Sequence, residues 1–166
     1  MARSNELIDI FLQPGEYFVG NEGYQIRTML GSCVSITLWH PSRRIGAMSH
    51  FLLPRRGTDA KGCELDARYG DEALSLMLAE LAQAGIEPWQ CQGKIFGGGN
   101  MFPSQSRPSC LNIGRRNGEA ARAMLQAHGI RTIAESLFGI GHRQIIFDVS
   151  TGDVWSHQVR PITPPN

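Results

Sequence analysis

Residues 30–54 read Leu30-Gly31-Ser32-Cys33-Val34-Ser35-Ile36-Thr37-Leu38-Trp39-His40-Pro41-Ser42-Arg43-Arg44-Ile45-Gly46-Ala47-Met48-Ser49-His50-Phe51-Leu52-Leu53-Pro54. From Val34 to Trp39 apolar residues alternate with polar or aromatic ones, the period-two pattern of a strand with one face on a core. Pro41 suits the second position of a type I turn, and Ile45–Leu53 reads as the returning strand, closed by Pro54. A hairpin centred on Pro41-Ser42 sets Trp39 opposite Arg44, Thr37 opposite Gly46, Ser35 opposite Met48 and Cys33 opposite His50. Directly opposed residues hold their Cβ atoms about 4.5–5.5 Å apart, so this register brings a thiol to an imidazole. The pleat collects Val34, Ile36 and Leu38 with Ile45, Ala47 and Ser49 on the better core face. Cys33, Ser35, Thr37 and His50 fall on the other.

Outward from this hairpin the chain reads as alternating short strands and two helices. Ile8–Leu12, Tyr17–Val19 and Tyr24–Met29 precede it, the last two separated by a turn at Asn21–Gly23. Residues 55–66 are polar and read as a loop. Asp71–Ala84 spaces Ala73, Met77 and Leu81 along one helical row, with Gly85 as the stop. Asn112–His128 repeats the pattern, with Ala120, Met124 and Leu125 spaced for burial and Gly129 as the stop. Lys94–Phe96, Arg131–Ser136, Gln144–Val149 and Asp153–His157 complete the strands. Hairpins imply antiparallel pairing, so an α+β sandwich with helices on one side is expected rather than a doubly wound sheet. Residues 1–160 are expected to form one domain, and the Pro-rich 161–166 a disordered tail.

Composition narrows the function. The 166 residues can bury a core without staples. Sixteen basic and fifteen acidic side chains leave a net charge of +1, which gives no general attraction to nucleic acid or an anionic membrane. No apolar run approaches the ~20 residues of a membrane span, and the N-terminus does not read as a signal peptide. A cytoplasmic, thiol-reducing location is expected. The four cysteines, Cys33, Cys63, Cys91 and Cys110, include no CxxC pair, so zinc-ribbon and thioredoxin readings lack their basic element.

Cys33 with His50 forms a sufficient nucleophile and base. A free thiol is mostly protonated at neutral pH; a neighbouring imidazole takes its proton and later delivers it to a leaving amine. Gly31 and Ser32 put sparse side chains beside the nucleophile, leaving backbone N–H groups open to an oxyanion. A third group is needed to orient His50, and Thr28 and Ser32 both offer hydroxyls. Cys63 lies in a polar loop and Cys91 and Cys110 near segment edges, without an opposed histidine. Gly97-Gly98-Gly99 follows a strand but lacks the pattern of a phosphate loop; it reads as tight backbone near a site. Asn112 to Asn117 reads as a helix start with basic residues, or as a site wall that contacts a carbonyl or carboxylate.

Leu30-Gly31-Ser32-Cys33-Val34 and Gly46-Ala47-Met48-Ser49-His50-Phe51-Leu52-Leu53-Pro54 resemble the CheD family of chemoreceptor glutamine deamidases. The likeness continues through Arg68-Tyr69-Gly70-Asp71, Lys94 to Phe102, Asn112-Ile113-Gly114 with Arg116-Asn117, and Gly141-His142-Arg143, from about Pro14 to about Trp155. The resemblance implies an α/β/β layered sandwich of mixed, largely antiparallel sheets with two helices, as in certain toxin deamidases. It implies hydrolysis of receptor glutamines to glutamate with Cys33 as nucleophile and His50 as base. It implies a hydroxyl residue upstream as third member: Thr28 stands five before Cys33, whereas some members carry it six before, where this chain has Arg27. Gly98, Gly99, Asn112 and Arg116 would line the cleft. No metal or organic cofactor is implied. The partner implied is the helical cytoplasmic region of chemoreceptors. The alternatives are a binding role toward a CheC-type phosphatase, a receptor methylesterase using the same dyad, and, outside the family, a thiol redox sensor.

Overall fold

The computed structural model describes residues 6–57, 64–102 and 108–160, the side chains of 108–111 excepted. Half of the loop expected at 55–66, residues 58–63, and the 161–166 tail lie outside the described residues. Strands β1 (Ile8–Phe11), β2 (Tyr17–Gly20), β3 (Tyr24–Leu30), β4 (Val34–His40) and β5 (Ile45–Ser49) come first. Helix α1 (Gly70–Gln83), β6 (Gln92–Gly97), helix α2 (Pro108–Ala127), β7 (Arg131–Leu137), β8 (His142–Asp148) and β9 (Val154–Val159) follow. One sheet has the order β1-β3-β8-β9 and the other β2-β5-β4-β6-β7.

The β4–β5 hairpin forms, but two residues out of the expected register. Thr37 pairs with Met48, Leu38 with Ala47, Trp39 with Gly46 and His40 with Ile45. The loop is therefore Pro41–Arg44. A two-residue hairpin needs positive φ at its centre, which the Pro41 ring forbids. The chain instead takes a longer loop and places Arg44 in the left-handed region at φ 49°, with its N–H donating to the His40 carbonyl at 2.8 Å. A shift of two preserves the pleat, so each side chain keeps its predicted face. β5 ends at Ser49 rather than Leu53: past it Phe51 makes one isolated bridge to Val34, and then Leu52 N–H turns away to donate to the Arg68 carbonyl at 2.8 Å.

Both faces of the five-stranded sheet are covered. Val34, Ile36, Leu38, Ala47 and Ile95 pack under Leu74, Met77 and Leu81 of α1 and Ala121, Met124 and Leu125 of α2. On the opposite face Met48 and Phe96 meet Ile26, Leu30, Ile145 and Phe147 of the four-stranded sheet. The architecture is helices, sheet, sheet: a layered α+β sandwich. Antiparallel pairing is not universal. β1 lies parallel to β3, and β6 parallel to β7 through the α2 crossover. The Asn21–Gly23 turn joins no hairpin; it carries the chain from one sheet to the other. Helix α2 starts at Pro108, four residues before the expected Asn112, consistent with the preference of proline for a first helical turn. Helix α1 stops where expected: Gly85 adopts φ 78° and its N–H donates to the Ala82 carbonyl at 2.9 Å.

Candidate active site

Cys33 closes the loop between β3 and β4, and His50 immediately follows β5. Their next residues, Val34 and Phe51, exchange two backbone hydrogen bonds of 3.1 and 3.0 Å. Continuing that register, His50 lies across from Ser35, and Cys33 is its diagonal neighbour rather than its direct partner. Diagonal Cβ atoms stand roughly 7–8 Å apart or less, within reach of a long side chain such as histidine. Both residues belong to the face that packs on the four-stranded sheet. Cys33 is half-buried there, and His50 is 2% exposed.

The four-stranded sheet contributes Thr28, from β3. Its Oγ1 lies 2.7 Å from His50 Nδ1 and 2.8 Å from the Leu12 carbonyl oxygen. A carbonyl only accepts, so the single hydroxyl proton of Thr28 goes to Leu12. Nδ1 must then carry the proton it donates to Thr28, and Nε2 is left with a free lone pair. The backbone holds the ring from the other side: His50 N–H donates to the Glu16 carbonyl at 3.0 Å, and the Gly15 N–H to the His50 carbonyl at 2.8 Å. Burial pushes the His50 imidazole down from 6.5 to about 4 and the Cys33 thiol above its ordinary value. At neutral pH the resting pair is uncharged, a thiol beside an imidazole.

Residues 31–33 are supported from below. Gly98 N–H donates to the Cys33 carbonyl and Gly99 N–H to the Gly31 carbonyl, both at 2.9 Å. Those two N–H groups are therefore taken, and Gly98 and Gly99 lie behind the loop as a buttress. The tri-glycine run is needed for close approach: a Cβ on Gly98 would stand 2.6 Å from the Gly114 carbonyl oxygen of α2, and one on Gly114 2.5 Å from the Gly98 oxygen. By contrast, the N–H groups of Gly31, Ser32 and Cys33 have no partner among the described residues. Asn112 is exposed on α2. Arg116 borders a cleft of about 220 Å³ with Leu53, Pro54, Arg55, Ile113 and Asn117.

Two buried polar residues at the site had no individual role in the sequence reading, where Asn117 stood only within the 112–117 segment and Arg143 only within the family likeness. Asn117 Nδ2 donates to the Ser32 and Leu52 carbonyls at 3.0 and 2.9 Å. The Arg143 guanidinium donates to the carbonyls of Gly97, at 2.9 Å, and of Ser136 and Phe138. It pins β8 to the ends of β6 and β7. Each carried a signal: Asn117 interrupts the apolar stripe that runs to Ala121 and Leu125, and Arg143 shares the inward phase of β8 with Ile145 and Phe147. Cys91 is buried in the helix-facing core and its thiol is pushed up to about 11, which makes it an inert hydrophobe. The side chains of Cys63 and Cys110 lie outside the described residues. Among those described, no three His, Cys, Asp or Glu side chains gather to hold a metal, and no helix is long and apolar enough to cross a membrane.

The family model for CheD chemotactic sensory transduction matches residues 52–158. The chain is 71% identical over 162 residues to "Probable chemoreceptor glutamine deamidase CheD 2" of Albidiferax ferrireducens, covering 98% of this chain and 94% of that protein. This chain belongs to the CheD family. A CheD relative in Dechloromonas aromatica, "Probable chemoreceptor glutamine deamidase CheD 3", is 44% identical over 93% of this chain and 89% of its own. Another in Pseudomonas syringae pv. tomato, "Probable chemoreceptor glutamine deamidase CheD", is 44% identical over 94% and 93%. Both CheD matches thus run across the two sheets and both helices.

Proposed function

We propose that this CheD-family chain is a cytoplasmic protein-glutamine glutaminase that converts glutamine side chains of chemoreceptors to glutamate, with Cys33 as nucleophile, His50 as general base and acid, and Thr28 as the residue that orients His50. The observation that carries the reading is the Thr28–His50 hydrogen bond of 2.7 Å with the Thr28 proton committed to Leu12. It leaves Nε2 as a base on the strand beside a half-buried thiol.

The reaction is a two-step acyl transfer. As Cys33 Sγ attacks the glutamine Cδ, its proton passes to His50 Nε2. The carbonyl oxygen becomes an oxyanion beside the free N–H groups of the Gly31–Cys33 loop. The new imidazolium is stabilised by donating from Nδ1 to Thr28, and gives its Nε2 proton to the departing nitrogen. The C–N bond breaks, ammonia leaves and a thioester remains. His50 then takes a proton from water as the water oxygen attacks the thioester. The C–S bond breaks, Cys33 recovers its proton, and the product is glutamate. Because thiol and imidazole start neutral, charge forms only during the attack, which makes the preset oxyanion donors and the Thr28 acceptor the main electrostatic help.

Mass spectrometry of a receptor cytoplasmic fragment tests this. Wild type is expected to add about 1 Da at defined glutamines, an amide-to-acid change, and Cys33→Ala to add none. A Cys33→Ala protein that still releases ammonia would sink the reading. Release of methanol from methylated fragments, with no ammonia from amides, would identify an esterase instead.

A further inference from the structure

Asn117 stands where the loops that carry Cys33 and His50 meet helix α2. Its Nδ2 spends one proton on each loop: 3.0 Å to the carbonyl of Ser32, which precedes Cys33, and 2.9 Å to the carbonyl of Leu52, two residues past His50. The side chain is wholly buried. Chemistry sets its orientation, since the reverse would turn Oδ1 toward two carbonyl oxygens, acceptor against acceptor. As oriented, Oδ1 has no partner among the described residues. A buried amide that leaves its acceptor unpaired contributes through its donors.

The β4–β5 ladder cannot replace it. The last exchange of backbone bonds across the hairpin is Val34 with Phe51; after it, Leu52 N–H turns away to Arg68. Beyond that bridge, Asn117 is the side chain that joins the two loops. Its own base is firm: Gly114, one helical turn earlier, lies against the backbone of Gly98 and Gly99 with no room for a side chain. Helix α2 therefore presents the amide at a fixed height over both carbonyls.

We infer that Asn117 is a positioning residue: through the Ser32 and Leu52 carbonyls it sets the spacing of the two loops, and so the placement of the Cys33 thiol and the loop N–H groups relative to His50. The inference rests on the reading of Cys33 and His50 as the reacting pair.

The test uses the full chain with a receptor cytoplasmic fragment. Asn117→Ser and Asn117→Asp are assayed beside wild type and Cys33→Ala for kcat and KM. Each rate is divided by the folded fraction measured by circular dichroism at the assay temperature. For Asn117→Ser, kcat per folded molecule is expected to fall on the order of 10²-fold, the effect of a small misplacement of reacting groups. KM should stay within about two-fold, since the substrate surface is untouched. Asn117→Asp should regain activity as pH falls, because a protonated acid restores one donor whereas a carboxylate turns acceptors on both carbonyls. Wild type should show no such gain. Wild-type kcat per folded molecule in both variants overturns the inference, and so does a loss of activity that only tracks loss of folded protein. If Cys33→Ala is inactive in the same assay, the catalytic reading survives either result; an active Cys33→Ala removes both.

Discussion

The two faces of the five-stranded sheet are built on different principles. The face under the helices is mostly apolar: Val34, Ile36 and Leu38 of β4 meet leucines and methionines of α1 and α2, and the buried Ser49 hydroxyl accepts from the Ile36 N–H. The face toward the second sheet carries polar groups in its interior, among them Ser35, Thr37 and His50, with Thr28 and Arg143 arriving from the other sheet. On the first face, cohesion comes from area removed from water and tolerates any close-packed solution. On the second, Thr28, His50 and Arg143 each hold particular partners at particular distances. One β-strand thus supplies stability on one side and a chemically specified site on the other. Substitutions on the two sides should separate folding from activity.

The largest separation is expected at His50→Asn. The asparagine Nδ2 can still donate to Thr28 Oγ1 as Nδ1 does now, so the buried hydroxyl keeps its partner, but the proposed base is gone. Glutamine hydrolysis should fall on the order of 10⁴-fold, as when a member of a nucleophile–base set is removed, with the melting temperature at neutral pH near wild type. Ammonia release and a thermal melt check the two halves. A variant that retained hydrolysis would place the base elsewhere.

Leu38→Ala should do the reverse. It empties a fully buried site under the helices, and such truncations cost about 2–5 kcal/mol. Chemical denaturation measures that loss, while kcat per folded molecule should hold. A comparable fall in kcat at full folding would mean that the helix-facing core sets the site geometry too, and would blur the contrast.

Acid separates the faces a third way. The unfolded chain takes up a proton at His50 near 6.5, whereas burial holds the folded imidazole neutral down to about 4. Between those values the unfolded state binds more protons, so the folded state loses stability as pH falls through the window. The span corresponds to roughly 3 kcal/mol at most. Urea melts across this window should therefore slope downward toward acid in wild type, and the slope should be shallower in His50→Asn. Equal slopes would remove His50 as the cause.

These contrasts also explain what the chain disclosed in advance. The alternation from Val34 to Leu38 is local, so the strand, its two faces and the membership of Cys33 and His50 on one of them were legible. The loop length was not. Pro41 marks where the turn begins, but its ring blocks the short hairpin, and the resulting shift makes Cys33 and His50 diagonal. Since the shift is even, the site survives the error; a shift of one residue would have sent His50 under the helices. The packing of one sheet on the other leaves no local mark, so β3 offered Thr28 only as a hydroxyl upstream. Asn117 and Arg143 were visible as polar residues in apolar phase, yet the carbonyls they hold come from segments far apart in sequence.

Thr28→Val is the finest cut through the polar face. Valine keeps the shape and burial of threonine and deletes only Oγ1, which now accepts from His50 Nδ1 and donates to the Leu12 carbonyl. Without that acceptor, nothing commits the Nδ1 proton, and the ring can adopt the tautomer whose Nε2 carries the hydrogen and cannot act as a base. The imidazolium of the proposed first step would also lose its stabilising partner. Loss of a tautomer-setting group costs up to ~10⁴-fold when the group is a carboxylate; a neutral hydroxyl stabilises the cation less, so a fall in kcat on the order of 10²-fold is expected here, with a stability loss of about 2–3 kcal/mol from the orphaned Leu12 carbonyl and Nδ1–H. Steady-state kinetics against a urea melt gives both numbers. Thr28→Ser restores a hydroxyl and should recover most of the rate, whereas equal losses in the serine and valine variants would trace the effect to packing between the sheets rather than to the hydrogen bond that orients His50.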